Sequence, residues 1–233
     1  MKKTSILFIG NSYTYYNDLD VLFENLCRAN GKEVHAYRIT QGGRKLFQFK
    51  DENDPVTQEL ISSLQSRKYD VCFLQEQSLL PILNFDAFMD GLTHTVQLLK
   101  PQTPQLILYA TWARKVGCPT LEEHSWTPDS MAKDLADAYQ KAGSGLDAKV
   151  SFVGLAFQKA MRLDPAIDLH DPDLSHPSYK GSCLAALTHY YTVFGSFPEC
   201  AEVFSLSDHE LSVFKKAIEL LIKSIPVINA GDG

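Results

Sequence analysis

The chain has 233 residues and a mass of 26.1 kDa, and its 45% apolar content can build the core of one ordinary α/β domain spanning residues 1–233. Its formal net charge is −6 and its 22 Lys and Arg are not gathered into a basic stripe, which disfavours nucleic-acid binding by phosphate neutralisation. No stretch approaches the roughly 20 apolar residues of a bilayer span, so no membrane partner is expected.

In chain order, Met1-Lys2-Lys3 and the apolar run behind it imitate a signal peptide, but polar Asn11, Tyr13, Thr14 and Asn17 arrive too early for a full hydrophobic region. The five cysteines, Cys27, Cys72, Cys118, Cys183 and Cys200, are odd in number and lack Cys-x-x-Cys spacing. A reduced, cytoplasmic setting is the simpler expectation. Apolar runs at residues 6–9, 34–39, 71–74, 106–110 and 150–153 predict five strands. Between them, amphipathic segments near residues 19–29, 56–65, 85–99, 129–142 and 155–163 predict helices long enough for parallel crossovers. The pattern is that of a three-layer α/β/α domain around a five-stranded parallel sheet.

Two more helices are expected in the tail. Ser178 caps one whose Cys183, Leu184, Leu187, Tyr191 and Phe194 form a single apolar face. Ser207 with Glu210 makes a capping box ahead of Leu211, Phe214, Ile218, Leu221 and Ile222, with Pro226 as the stop, and this helix should lie on the sheet. Gly42-Gly43 and Gly117-Cys118-Pro119 punctuate loops, and Asp164-Pro165 and Asp171-Pro172 break the chain before the last helices. In an open α/β sheet ligands bind outside the carboxyl ends of the strands. Ser12, Gly43, Gln77 and Trp112 each follow a strand, so they are expected on one rim.

Two strings then carry the chemistry. Ile9-Gly10-Asn11-Ser12-Tyr13-Thr14 puts a serine where a buried strand ends, and Asp173-Leu174-Ser175-His176-Pro177-Ser178 puts a carboxylate and an imidazole three residues apart before a helix. A hydroxyl attacks an ester poorly unless a base removes its proton, and an imidazole serves best when a carboxylate fixes its tautomer. Ser12 read alone favours an N-cap, His170 beside Asp171 competes with His176, and Asp173 has an alternative role as a turn-former after Pro172. His170, Asp171, Asp173 and His176 also cluster, but this proline-broken segment has neither the paired histidines nor the paired cysteines of zinc sites, so no metal is expected. Gly10-Asn11-Ser12 lacks the glycine spacing and lysine of a phosphate loop, and no cofactor is expected.

In their order along the chain these strings resemble the blocks of the SGNH, or GDSL-like, esterase/lipase superfamily, especially its branch that opens Gly-Asn-Ser-Tyr/Phe-Thr. The resemblance implies a flavodoxin-like SGNH fold and the roles of nucleophile for Ser12, base for His176 and orienting carboxylate for Asp173. It also implies an oxyanion hole built from the N–H of Ser12, an N–H of Gly42 or Gly43 in Thr40-Gln41-Gly42-Gly43, and a third-block amide. That third block departs from the usual Gly-x-Asn-Asp and reads Leu74-Gln75-Glu76-Gln77-Ser78, so the amide falls to Gln77, with Gln75 as the alternative donor. Trp112 and Arg114 are expected to line the substrate pocket, Trp112 as a stacking surface for a sugar and Arg114 as a hydrogen-bond donor. Tyr13, Tyr15 and Tyr16 lie near the rim as packing residues. The expected activity is hydrolysis of a small-molecule carboxylic ester, with a small acyl group such as acetyl on a carbohydrate by analogy. The alternative is a non-catalytic domain that binds a small ligand or glycan in the same cleft. Oligomeric state is not legible.

Overall fold

Strands whose two faces are both covered read as unbroken apolar runs, and residues 6–9 and 71–74 at the centre of the sheet are such runs, buried throughout. The computed structural model describes residues 3–224. Its strands are β1 Thr4–Gly10, β2 Val34–Thr40, β3 Val71–Leu74, β4 Gln105–Ala110 and β5 Lys149–Phe152. The helices are α1 Ser12–Tyr15, α2 Leu19–Ala29, α3 Pro55–Ser66, α4 Leu80–Leu83, α5 Phe85–Leu99, α6 Pro119–Glu123, α7 Pro128–Leu146, α8 Val153–Leu163, α9 Tyr179–Phe194 and α10 Asp208–Ser224. All five strands are parallel, in the order β2-β1-β3-β4-β5, with Phe8 opposite Phe73 and Leu7 opposite Cys72.

Alternation along the strands sorts the core into two halves. Phe8, Phe73 and Tyr109 face α2 and α9, where Phe23 and His189 pack against them. Leu108 and Val150 face α7, where they meet Gly143. Strand order reverses between β1 and β3, so the crossovers leave to opposite sides and a crevice opens beyond their carboxyl ends. The segments after Gly10 and Leu74 therefore meet there.

Three local expectations change. Val153 opens α8 instead of ending β5, because the chain turns into the helix without a loop. Helix α9 has no single apolar face: residues 181–190 are all buried, because it is enclosed by α2, α8 and the sheet, and its small residues admit that packing. Helix α10 packs chiefly on α8, outside the sheet layer, through Phe214, Ala217, Ile218 and Leu221. Its predicted capping box is present, with Ser207 N donating to Glu210 Oε2 at 2.7 Å, and Ser178 caps α9 by accepting from Gly181 N at 3.2 Å. The expected stop at Pro226 lies outside the described residues. Among the described residues no helix is long and apolar enough to cross a membrane.

Glu76, just past β3, is 0% exposed. Its carboxylate accepts from Gln77 N at 2.6 Å and from Leu46 N at 3.1 and 3.2 Å, joining the β3 end to the segment after β2. Burial pushes its pKa up from 4.5 to about 7, against the opposing pull of those two N–H groups and of Lys45. Between these values the folded chain holds a proton that the unfolded chain releases, so this group's contribution to stability falls as pH rises through the window and levels off above it. The full span is about 3 kcal/mol as an upper bound. Glu76→Gln mimics the protonated side chain. In thermal melts from about pH 5 to about pH 8, wild type should lose stability relative to this variant, and parallel profiles would refute the linkage.

Candidate active site

The short turn after β1 sets the first side chain. Asn11 caps α1: its Oδ1 accepts from Tyr13 N at 3.2 Å, and its backbone oxygen accepts from Thr14 and Tyr15 N at 2.9 and 3.2 Å. Its Nδ2 donates to Arg44 O at 2.9 Å, which ties the turn to the loop after β2. Ser12, the first helical residue, is 9% exposed, and its backbone N–H makes no hydrogen bond among the described residues.

The second string folds back as a tight loop between α8 and α9. Asp171 N donates to His176 O at 2.8 Å, Ser178 N to Leu169 O at 3.0 Å, and His170 and Pro177 form an antiparallel bridge. Leu174 takes φ +64°, a conformation uncommon for a residue with a β-carbon, and its carbonyl accepts from Lys115 N at 3.0 Å. Asp173 Oδ1 accepts from the backbone N–H groups of Ser175 and His176 at 2.9 and 2.8 Å. Its other oxygen, Oδ2, accepts from His176 Nδ1 at 2.5 Å, so the ring proton sits on Nδ1 and Nε2 is left to accept from Ser12 Oγ at 2.9 Å. Burial pushes the Asp173 pKa up, but the hydrogen bonds from the His176 side chain and the two backbone N–H groups outweigh it and hold the carboxyl below its ordinary value.

Aromatic rings hold the imidazole in place. Tyr16 stacks on His176 at 4.2 Å with 9° between the planes, and Tyr13 lies at 5.3 Å. Burial first, then the charges of Asp173 and Asp171, push the Tyr16 phenol up, so it stays neutral. Asn17, at φ +54°, donates through Nδ2 to Pro177 O at 3.1 Å and to Ser182 Oγ at 2.9 Å, clamping the loop to α9. Sequence placed Tyr16 near the rim only as packing; its seat on the imidazole depends on the path of a loop 160 residues away, and no local signal carries it.

The two glutamines after β3 are distinguished by their partners. Gln75, 1% exposed, accepts through Oε1 from Asn11 N and Thr14 Oγ1, both at 2.9 Å, and donates through Nε2 to the Glu76 carbonyl. Gln77 accepts through Oε1 from Leu79 and Leu80 N, both at 3.0 Å, so it caps the turn into α4, while its Nε2 has no hydrogen bond among the described residues. Gly42 and Gly43 form an exposed turn in which Arg44 N donates to Gln41 O at 3.1 Å. Gly43 has φ +67°, as the third position of a type II turn requires, and neither glycine N–H is hydrogen-bonded among the described residues.

One pocket expectation changes. Trp112 offers no face to a sugar: it is 1% exposed, stacked with Tyr13 at 4.7 Å and Phe157 at 4.5 Å, and its Nε1 donates to Ser175 O at 3.0 Å. It supports the loop as core. Arg114 is buried, donating to Tyr13 Oη and, at 2.8 Å, to Ser78 Oγ. His170 points elsewhere, with Nε2 donating to Ala113 O at 3.0 Å, and burial lowers its pKa. A separate cleft of about 330 Å³ at the β2 edge, lined by Tyr37, Arg38, Arg67 and Tyr69 among others, shares no residue with this cluster.

No family model matches the chain, and no curated protein matches it by sequence. Solved structures do. A DUF4886 family protein from Bacteroides uniformis superposes with a TM-score of 0.81 at 18% identity over 96% of each chain. An acetyl xylan esterase superposes at 0.60 with 15% identity, over 82% of this chain and 100% of that one. A candidate SGNH hydrolase from Slackia heliotrinireducens is 26% identical with a TM-score of 0.71, over 82% of this chain and 100% of its own. That likeness, over the whole of the Slackia chain, sets this chain in the SGNH hydrolase superfamily.

Proposed function

We propose that the protein is a serine hydrolase that cleaves a carboxylic ester through an acyl-enzyme. The observation that carries this reading is the unbroken hydrogen-bonded series from Asp173 Oδ2 through His176 to Ser12 Oγ, at 2.5 and 2.9 Å. Ser12 Oγ attacks the ester carbonyl as its proton passes to His176 Nε2, and the imidazolium that forms faces the Asp173 carboxylate. The tetrahedral intermediate collapses as Nε2–H protonates the leaving alcohol, which leaves Ser12 acylated. Water then repeats the cycle, giving its proton to Nε2 and its oxygen to the acyl carbon, and Ser12 recovers its proton as the acid departs.

The alkoxide of each intermediate needs donors already in place. The Ser12 N–H, the N–H of Gly42 or Gly43, and Gln77 Nε2 supply them in this reading, and their lack of other partners supports it. Gln77 is preferred to Gln75 in that role because Gln75 Oε1 and one of its two Nε2 hydrogens are already engaged, whereas Gln77 Nε2 has no hydrogen bond among the described residues. The named acetyl xylan esterase shares the fold, and a small acyl group such as acetyl on a carbohydrate is the proposed substrate by that analogy.

Ser12→Ala should abolish p-nitrophenyl acetate turnover, by about 10⁴-fold or more, and eliminate fluorophosphonate labelling while the thermal midpoint holds. Retained turnover in that variant would reject the mechanism. An inert wild type that still binds sugar would replace it with the binding-domain reading. Asp173→Asn keeps acceptors for the Ser175 and His176 N–H groups but presents an amide donor to Nδ1, favouring the wrong tautomer; kcat should fall by about 10³ to 10⁴. Gln77→Glu keeps the cap on Leu79 and Leu80 but removes the donor, and kcat should drop by about 10² with little change in KM, whereas an unchanged kcat would remove Gln77 from the hole.

A further inference from the structure

Arg114 is the chain's unusual arginine. It is 8% exposed, and the two hydrogen bonds of its guanidinium go to neutral hydroxyls, Tyr13 Oη and Ser78 Oγ. The other buried arginine among the described residues has a carboxylate: Arg44, 2% exposed, has Asp54 at 2.6 Å. No carboxylate pairs with Arg114 among the described residues. Asp173 is near enough for its charge to act on it, but both Asp173 oxygens are already engaged by Ser175 and His176. Burial lowers the Arg114 pKa, yet a guanidinium keeps its proton at any working pH. A desolvated charge without a counter-charge is costly, and a site tolerates it where a ligand supplies the missing sign.

Its place fits such a ligand. The guanidinium carbon lies 5.5 Å from the centroid of the Tyr13 ring, Tyr13 directly follows Ser12, and the same ring lies 5.3 Å from that of His176. One side chain therefore separates the cation from the reacting pair. A guanidinium presents a planar fork of donors matched to a carboxylate, and only two of those donors have protein partners here. We infer that the physiological substrate is an anionic ester, carrying a carboxylate close to the scissile bond, and that Arg114 selects it. This rests on Ser12 and His176 acting as proposed above. The long-range charge of −6 does not recruit such a substrate, so the preference is local and belongs to Arg114.

The test compares charged and neutral isosteres within one enzyme. Mono-p-nitrophenyl succinate against p-nitrophenyl butanoate places the carboxylate on the acyl side; meta-acetoxybenzoate against meta-acetoxybenzamide places it on the alcohol side. Wild type should favour one of the anionic esters by about tenfold or more in kcat/KM. Arg114→Gln, which keeps donors for Tyr13 and Ser78, should bring that ratio to roughly one, while Arg114→Lys retains part of it. A wild-type ratio near one in both pairs, or an unchanged ratio in Arg114→Gln, overturns the inference and leaves the hydrolase reading standing. If no ester turns over, the hydrolase reading fails, and calorimetry with monomethyl succinate and meta-acetoxybenzoate decides the anion site alone. Binding of either, weakened about tenfold by Arg114→Gln, upholds an anion site, and no binding of either removes it.

Discussion

A single side-chain carbonyl knots this molecule together. Gln75 Oε1, at the end of β3, accepts from Asn11 N and Thr14 Oγ1 just beyond β1, so the two strands flanking the switch point are joined where their crossovers diverge. At Gly10 a β-carbon would lie 2.5 Å from that oxygen, which makes the glycine and the glutamine one device. Without it the strand ends would carry an unpaired buried N–H at Asn11, and the turn that presents Ser12 would lose its anchor. In the third block the first glutamine performs this task, and two residues later Gln77 caps the turn into α4 through Oε1 while its Nε2 has no hydrogen bond among the described residues.

The other loops of the rim are tied by the same means, side chain to distant backbone. Asn11 Nδ2 holds the Arg44 carbonyl, and Arg44 in turn rests on Asp54, Thr57 and the Phe49 ring. Glu76 gathers the N–H groups of Leu46 and Gln77, and Asn17 holds the carbonyl of Pro177. These connections satisfy backbone groups that neither helix nor sheet can reach, and they link blocks dozens of residues apart. The rim is therefore only as ordered as the sheet beneath it. The loop bearing His176 adds a local contribution, because Asp173 captures the two N–H groups that follow it before it meets the ring.

What sequence made legible were the features with a short period. Short apolar runs located the five strands, and Ser207 with Glu210 located a helix start, because each rests on neighbours a few residues apart. Asp173 and His176 were legible for the same reason. The contact between residues 12 and 176 rested on block order, and Gln75 against Gln77 had no local answer: both are amides, and only the folded partners tell one bonded through oxygen and nitrogen from one bonded through oxygen alone. Trp112 failed as a sugar platform because a tryptophan after a strand reads the same whether its faces are open or closed by Tyr13 and Phe157. Helix α9 failed as an amphipathic helix because its enclosure depends on α2 and α8, which no periodicity within residues 179–194 encodes.

The proposed chemistry creates two charges and moves one proton, and the protein has partners in position for each. The imidazolium forms against the Asp173 carboxylate and beneath the neutral Tyr16 ring, whose face is attractive to a cation. The alkoxide forms where N–H groups lack other acceptors, and such donors need no rearrangement as charge develops. Glu76, a buried carboxyl near the rim, faces the backbone donors of Gln77 and Leu46. Among the described residues beside the cleft, Arg114 carries a buried charge that has no carboxylate partner and that bond-making does not use. On the inference drawn above, that desolvated charge is retained for the anion it recognises.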